Sequence, residues 1–451
     1  MRILLLNPPF GGLYHRLNFI LPPLGLAYLA SCLREKGHAV FLWDLNVQPP
    51  TLDLSSYDLV GITADTPRYP QALLWARRAR EAGARVVLGG PHVTFEDEEI
   101  LRSGTAEVVV RGEAEETFPR LVEALQAGKD LASLAGLSYL EEGKIKRTPD
   151  SPPPLDLDRL PFPARDLLPM SSYRRLRLGG RPITSLLTSR GCPFLCTFCA
   201  SSRFSGTRWR TRSLASIVEE IERIIADYGF RALAFLDDNF TLDPGRVVAI
   251  CEEIISRGWD LKWWCFSRPD TVLRHPEMVE AMAAAGARYV FMGLESAHQR
   301  VLDSYGKKAR AEEAREAVRL LQRFGIDATA SYVLGGMEET EEMIRSTVHQ
   351  ALQLRAGSAQ FSLLTPYPGT RLYELVKERI FEEDWSKFDC LHPTFYLDHI
   401  SPRRLSQLLH WAYRCYYLRP SRLWSGLLSS IRGRGITAAN IVRMMAALRD
   451  L

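Results

Sequence analysis

The sequence predicts an α/β protein with a doubly wound, Rossmann- or flavodoxin-like first domain, a partial (β/α)6, TIM-like barrel and a helical C-terminal tail. Two observations carry this. Short runs rich in Val, Ile and Leu alternate with helical patterns from the first residue, and the alternation restarts at 182 after a proline-dense interruption.

Five runs read as buried strands of the first domain: 2–7, 38–44, 58–63, 84–90 and 106–112. Between them "LGLAYLASCLREKG" and "PQALLWARRAREAG" read as helices, each ended by glycine. Ligands of such sheets sit outside the carboxyl ends of the strands. The loops there are "NPPFGG" (Asn7, Pro8, Pro9), "TADTPRY", "GGPHVT" (Gly89, Gly90, His92) and "RGEAEE" (Gly112, Glu113). Their glycines and prolines either admit a bulky flat ligand close to backbone or simply make tight turns. No G-x-G-x-x-G follows the first strand, which argues against a dinucleotide. Residues 136–150 alternate like a hairpin, and "SPPPLDLDRLPFPARDLLP" cannot be regular structure and wraps between domains. Six further strands are expected at 183–189, 232–238, 261–267, 289–295, 328–335 and 359–366, with helices such as 213–228 and 244–257 between them. The expected divisions are 1–130, 131–175 (hairpin and linker), 176–385 (barrel) and 386–451 (helical tail).

Lys and Arg number 57 against 53 Asp and Glu, so a net charge of +4 gives no case for nucleic acid. Residues 401–451 hold nine arginines and one acid, Asp450. The start "MRILLLNPPF" is too short for a signal peptide, and no stretch reaches the roughly 18 apolar residues of a membrane span. Scattered cysteines also suit a reducing, cytoplasmic setting.

"GCPFLCTFCA" places Cys192, Cys196 and Cys199 immediately after the first barrel strand. Zinc usually takes four protein ligands in paired knuckles, and no second Cys/His pair lies nearby. Three thiolates on one loop suit an iron–sulfur cluster with one iron left open.

C-x-x-x-C-x-x-C on the first loop of a partial barrel resembles the radical S-adenosylmethionine (SAM) superfamily. The resemblance implies that Cys192, Cys196 and Cys199 hold a 4Fe–4S cluster whose fourth iron SAM chelates, with Phe198 near the adenine. Reductive cleavage would give a 5′-deoxyadenosyl radical. "LPPLGLAYLAS", "GGPHVT", "VVRGEAEET", "LDRLPFPARDLL", "FLDDNF", "MGLESA", "VLGGMEET" and "TPYPGT" are similar to the subfamily with an N-terminal cobalamin-binding domain, which includes class B methylases and an anaerobic oxidative cyclase. The chain lacks the D-x-H-x-x-G motif for a lower histidine ligand. Asp65, Thr66, Arg68 and Tyr69 are then the candidates for the lower face of cobalamin.

At the barrel's strand ends, Asp237, Asp238 and Glu295 are candidate contacts to SAM or substrate, with a helix cap or solvent-facing acid as the alternative. Arg268 either pairs the methionine carboxylate or salt-bridges to Asp270. Leu334 and Gly335 would lie against adenine. Trp263, Trp264 and Tyr332 are core or a substrate platform. In the tail Leu405, Leu408, Leu409, Ala412 and Tyr416 form a helical stripe. The tail's arginines with Trp and Tyr mark either a peripheral membrane helix or an anionic-substrate contact, or the helix docks on the barrel with its arginines solvated.

The implied function is a cobalamin-dependent radical SAM methyltransferase, carrying methyl by way of methylcobalamin to an unactivated carbon. The alternative is a cyclase or ring-rearranging enzyme with the same cofactors. The implied partners are a small-molecule, lipid or peptide substrate and an external flavodoxin- or ferredoxin-type electron donor. A methylthiotransferase or a peptide-modifying enzyme with auxiliary clusters would need further cluster cysteines. A non-catalytic corrinoid or zinc module is the remaining alternative.

Overall fold

The computed structural model describes residues 1–11, 17–420 and 446. Its first sheet holds five parallel strands, β1 (Arg2–Asn7), β2 (Ala39–Asp44), β3 (Leu59–Thr63), β4 (Arg85–Gly89) and β5 (Val108–Val110), in the order β2-β1-β3-β4-β5. The strands are apolar on both faces because helices cover both. Leu5 packs with Leu26 and Phe118 on one side, while Leu4 and Leu6 pack with Ala72 and Trp75 on the other. The order reverses between β1 and β3, so their loops diverge and open a crevice at the carboxyl ends.

The hairpin β6 (Leu137–Glu141) and β7 (Lys144–Arg147) pairs antiparallel with β5 and extends this sheet. Buried Arg111 pins it by donating to Leu137 O (2.6 Å) and Thr148 O (2.5 Å). The proline-dense segment wraps between the two halves. Ala164 N–H donates to Ala27 O (3.0 Å), and Arg165 reaches Glu220 on helix Leu214–Tyr228 (2.7 Å).

The second sheet runs from β8 (Arg177–Leu178) and β9 (Arg181–Leu186) through β12 (Ala232–Phe235), β13 (Lys262–Ser267), β14 (Ala287–Glu295) and β15 (Asp327–Leu334) to β16 (Ser358–Leu363). From β9 onward its six strands are parallel and sequential, the half-barrel that six consecutive βα units make. A separate two-stranded stem, β10 (Ser189–Arg190) with β11 (Arg210–Thr211), closes the loop that carries the cysteines. Local capping follows the sequence: Ser213 caps its helix on Ser216 N–H, Gly229 ends it with φ +65°, and Pro244 opens the next helix behind an Asp243 cap.

Helix Pro402–Tyr417 buries its whole stripe, Leu405, Leu408, Leu409, Ala412 and Tyr416, against the barrel. The docked alternative therefore holds, and this stripe is not a membrane face. The helix also serves β16, an edge strand whose backbone would otherwise lie open. The hydroxyls of Tyr413, Tyr416 and Tyr417 donate to Phe361 O (2.9 Å), Ala356 O (2.7 Å) and Ala359 O (2.7 Å). Arg422, Arg432, Arg434, Arg443 and Arg449 of the basic tail lie outside the described residues. Among the described residues no helix is long and apolar enough to cross a membrane.

Tyr413→Phe keeps the ring and deletes the bond to Phe361 O of the edge strand. Urea unfolding should show a loss of about 1 kcal/mol, and an unchanged midpoint would show that the hydroxyl does not support the edge.

Candidate functional site

The cysteine loop leaves β9 under tight control. Asp237, fully buried, accepts from Thr188 N–H (2.7 Å), the Thr188 hydroxyl (2.5 Å) and the Ser189 hydroxyl (2.5 Å). Its carboxylate is thus committed to the chain at Thr188 and Ser189 and, fully buried, does not face a ligand. Its neighbour Asp238 is exposed on the cavity wall, beside the Ser201 hydroxyl and near Glu113.

Cys192, Cys196 and Cys199 are unpaired and half-buried on one loop. Among the described residues no three Cys, His, Asp or Glu side chains close around a single ion. Burial pushes the Cys192 thiol up to about 11, while the Phe194 N–H that donates to its sulfur pulls it back. Burial likewise raises Cys196, opposed by the Lys307 ammonium and the Arg268 guanidinium. Half-buried sulfurs with an N–H donor and two cations beside them fit a negatively charged cluster, and its assembly must release protons.

Glu295 ends β14 in the left-handed region (φ +61°), at a register shift against β15. It forms a buried ion pair with Lys307, whose ammonium also donates to Gly293 O (2.8 Å). A strained carboxylate paired beside Cys196 is a feature of a site rather than of a solvated strand end. Sequence reasoning missed Lys307, which lies in a loop with no strand to mark it. Arg268 takes the salt-bridge alternative, with Nε 3.0 Å from Asp270 and its Cζ 3.9 Å from the centre of the Phe194 ring.

The loop residues of the first domain form one connected set. Arg68 donates to Asp65 (2.8 Å) and to Asn7 Oδ1 (2.8 Å), while Pro8 O accepts from Asn46 (3.2 Å) and Pro9 is half-buried. Thr66 and Tyr69 turn inward onto His92, at 3.3 Å from its Nδ1 and 4.2 Å between ring centres. Burial holds the His92 imidazole down at about 3, so it is neutral, and its Nε2 has no partner.

Between the domains lies a mostly apolar cavity of about 300 Å³. Gly89, Gly90, Gly112 and Glu113 line it from the first sheet, and Ser189, Arg190, Leu236 and Asp238 from the barrel. Above Gly25 and Gly112 a Cβ would meet nothing within 4 Å, a bare wall that fits close approach of a flat ligand. Gly90 is bare for another reason: its φ is +109° and a Cβ would strike Ala64 O at 2.7 Å.

Two expected contacts change meaning. The space beside Gly335 is filled by Leu405 of the tail helix, and the N–H groups of Gly335 and Gly336 both donate to Glu339 (2.8 and 3.1 Å). Leu334 is core, so neither residue offers a free backbone face to adenine. Phe198 packs edge-on against Tyr305 (5.1 Å). Trp263 and Tyr332 are fully buried core. Trp264 stands half-buried on the other face of β13, in a row with Phe266 and Phe291 (5.1 Å each step).

Two family models match the chain, the Radical SAM superfamily over residues 186–351 and the B12 binding domain over residues 12–122. The chain belongs to the radical S-adenosylmethionine enzymes that carry a B12-binding domain. It is 38% identical over 435 residues to an uncharacterised methyltransferase of Pyrococcus horikoshii, covering 94% of each chain. It is 29% identical to the anaerobic magnesium-protoporphyrin IX monomethyl ester cyclase of Rubrivivax gelatinosus, covering 94% of this chain and 78% of that one. The fold is that of the radical SAM methyltransferase TsrM from Kitasatospora setae, solved with cobalamin and a [4Fe-4S] cluster, at TM-score 0.76 and 20% identity over 100% and 99% of the two chains.

Glu339 gives a pH test of the loop that follows β15. Burial pushes its carboxyl up to about 7 from 4.5, against the pull of the two glycine N–H groups. Between those values the folded chain holds a proton that the unfolded chain has lost, so stability falls as pH rises. Glu339→Gln keeps an acceptor without the titration. Its Tm should gain on the wild type between about pH 5 and pH 8, and a constant difference would contradict the shift.

Proposed function

We infer that this enzyme is a cobalamin-dependent radical SAM methyltransferase that moves a methyl group from SAM to an unactivated carbon of a small-molecule acceptor. One observation carries the reading: the stem and return of the cysteine loop, at Ser189, Arg190, Phe204 and Ser205, and the strand-end loops at Gly89–Pro91 and Gly112–Glu115 of the first domain line a common cavity. The bound cofactors, a 4Fe–4S cluster, SAM and cobalamin, supply the radical and methyl-transfer chemistry.

The chain's own residues bind and position. Cys192, Cys196 and Cys199 hold the cluster, and the Lys307–Glu295 pair sets the charge beside it. Asp238, hydrogen-bonded to Ser201, presents its exposed carboxylate on the cavity wall, where it can orient a cationic or hydroxyl group. Gly112 and the Asn7–Arg68–Asp65 set form the corrinoid side, with residues 1–130 as that domain and 176–385 as the radical domain. The aromatic row Trp264, Phe266 and Phe291 offers the acceptor an apolar wall on the inner face of the barrel. An external low-potential flavodoxin- or ferredoxin-type donor supplies the electron, and the free thiols suit the reducing cytoplasm.

The test is anaerobic incubation of the reconstituted, hydroxocobalamin-loaded protein with SAM and a low-potential reductant. A methyl group on the recovered corrinoid together with S-adenosylhomocysteine is the expected result. Retained, unmethylated corrinoid with 5′-deoxyadenosine formed would favour the cyclase reading, in line with the Rubrivivax relative. If no corrinoid is retained, the account of the first domain fails.

A further inference from the structure

Two arginines bracket the cysteine loop. Arg190 ends β10 and Arg210 opens β11, and they stand directly opposite each other in the antiparallel pair. Like charges in that position repel, and their side chains are only 12% and 2% exposed. Such a pair needs a buried anion. It comes from the other domain. Glu113, just after β5, places its carboxylate 2.5 and 3.0 Å from the Arg210 guanidinium and 2.9 Å from Arg190. Glu115 adds a second contact to Arg190 at 2.7 Å, so two positive and two negative charges cancel. Arg210 also donates to Pro154 O (2.7 Å) in the linker and to Ser205 O (2.8 Å) on the return of the cysteine loop. One guanidinium therefore joins the first domain, the linker and the cluster loop.

Glu113, Glu115 and Arg190 are at the same time wall residues of the cavity between the domains. A group that fills that cavity rests on the loop that holds the stem of the cysteine loop closed. We propose that Glu113 is a positioning residue that couples the two cofactor sites: corrinoid in the cavity steadies the stem of the cluster loop, and the assembled cluster steadies the corrinoid wall. This rests on the functional reading above. Such coupling is reciprocal, so it can be read from either ligand.

The experiment measures hydroxocobalamin affinity of the full-length protein with and without its reconstituted cluster, by equilibrium dialysis, in wild type, Glu113→Gln and Glu113→Asp. The wild type should bind at least about fivefold more tightly with the cluster present, the lower end of ordinary coupling. In Glu113→Gln the ratio should fall to about one, whatever happens to the absolute affinity, and Glu113→Asp should keep part of it. A merely structural role would lower both affinities and leave the ratio standing. If Glu113→Gln does not fold, the charge-balanced Glu113→Gln/Arg190→Gln variant replaces it with the same expected loss. An unchanged ratio in the variant, or a ratio of one in the wild type, overturns the inference and leaves the methyltransferase reading intact. Wild type that binds no hydroxocobalamin in either form overturns both.

Discussion

The site depends on where the chain leaves the first strand of the half-barrel, and one buried carboxylate sets that point. Asp237 takes three hydrogen bonds from Thr188 and Ser189, so the end of β12 is tied to the end of β9. Each of those donors would cost about 1–3 kcal/mol if buried without a partner. The tie has two consequences. β12 stops at Phe235, because the next residues turn to reach β9, and Asp238 is left projecting into the cavity. The chain after β9 enters the β10–β11 stem at Ser189 and reaches Cys192 with its direction already fixed. Arg246 adds a bond to Thr188 O (2.8 Å) from the following helix.

At the interface between the domains the protein uses charge where an apolar contact would have been cheaper. Burying an ion pair seldom adds stability over well-packed hydrophobic groups. What it adds is direction, because a glutamate bridging two guanidiniums has few acceptable geometries. The Arg165–Glu220–Arg212 cluster under the linker follows the same pattern on the far side, with all three side chains at most 5% exposed. The first cluster ties the first domain to the barrel at the wall of the apolar cavity, and the second ties the linker to the barrel.

Much of this was legible in the sequence. All eleven expected parallel strands are present, because β-branched and leucine runs between helical patterns leave little choice of element. The cysteine loop was legible from spacing alone. What the sequence hid was the use made of each residue. Gly335 reads as an open approach for a ligand, yet the approaching group is Leu405, seventy residues downstream. Glu113 reads as a ligand contact from its loop, and becomes an anchor only because Arg190 and Arg210 face each other across a stem of two-residue strands. Lys307 carries no local signal, since its role exists only through Glu295 and Cys196. The hairpin at 137–147 was visible as a hairpin, but its attachment to β5 follows from the buried Arg111 beneath it. In each case the missing information is a long-range partner.

The tail explains how a half-barrel can stay open. A closed barrel removes its edges by pairing the first strand with the last. Six strands cannot do so, and the exposed edge of β16 would be free to pair with other chains. Three tyrosine hydroxyls on one helix accomplish the same end by another route, bonding to the Ala359 and Phe361 carbonyls of the edge strand and to the Ala356 carbonyl before it. The same helix also reaches the strand ends, where Leu405 fills the space beside Gly335, so the element that covers the open edge also shapes the loop that follows β15.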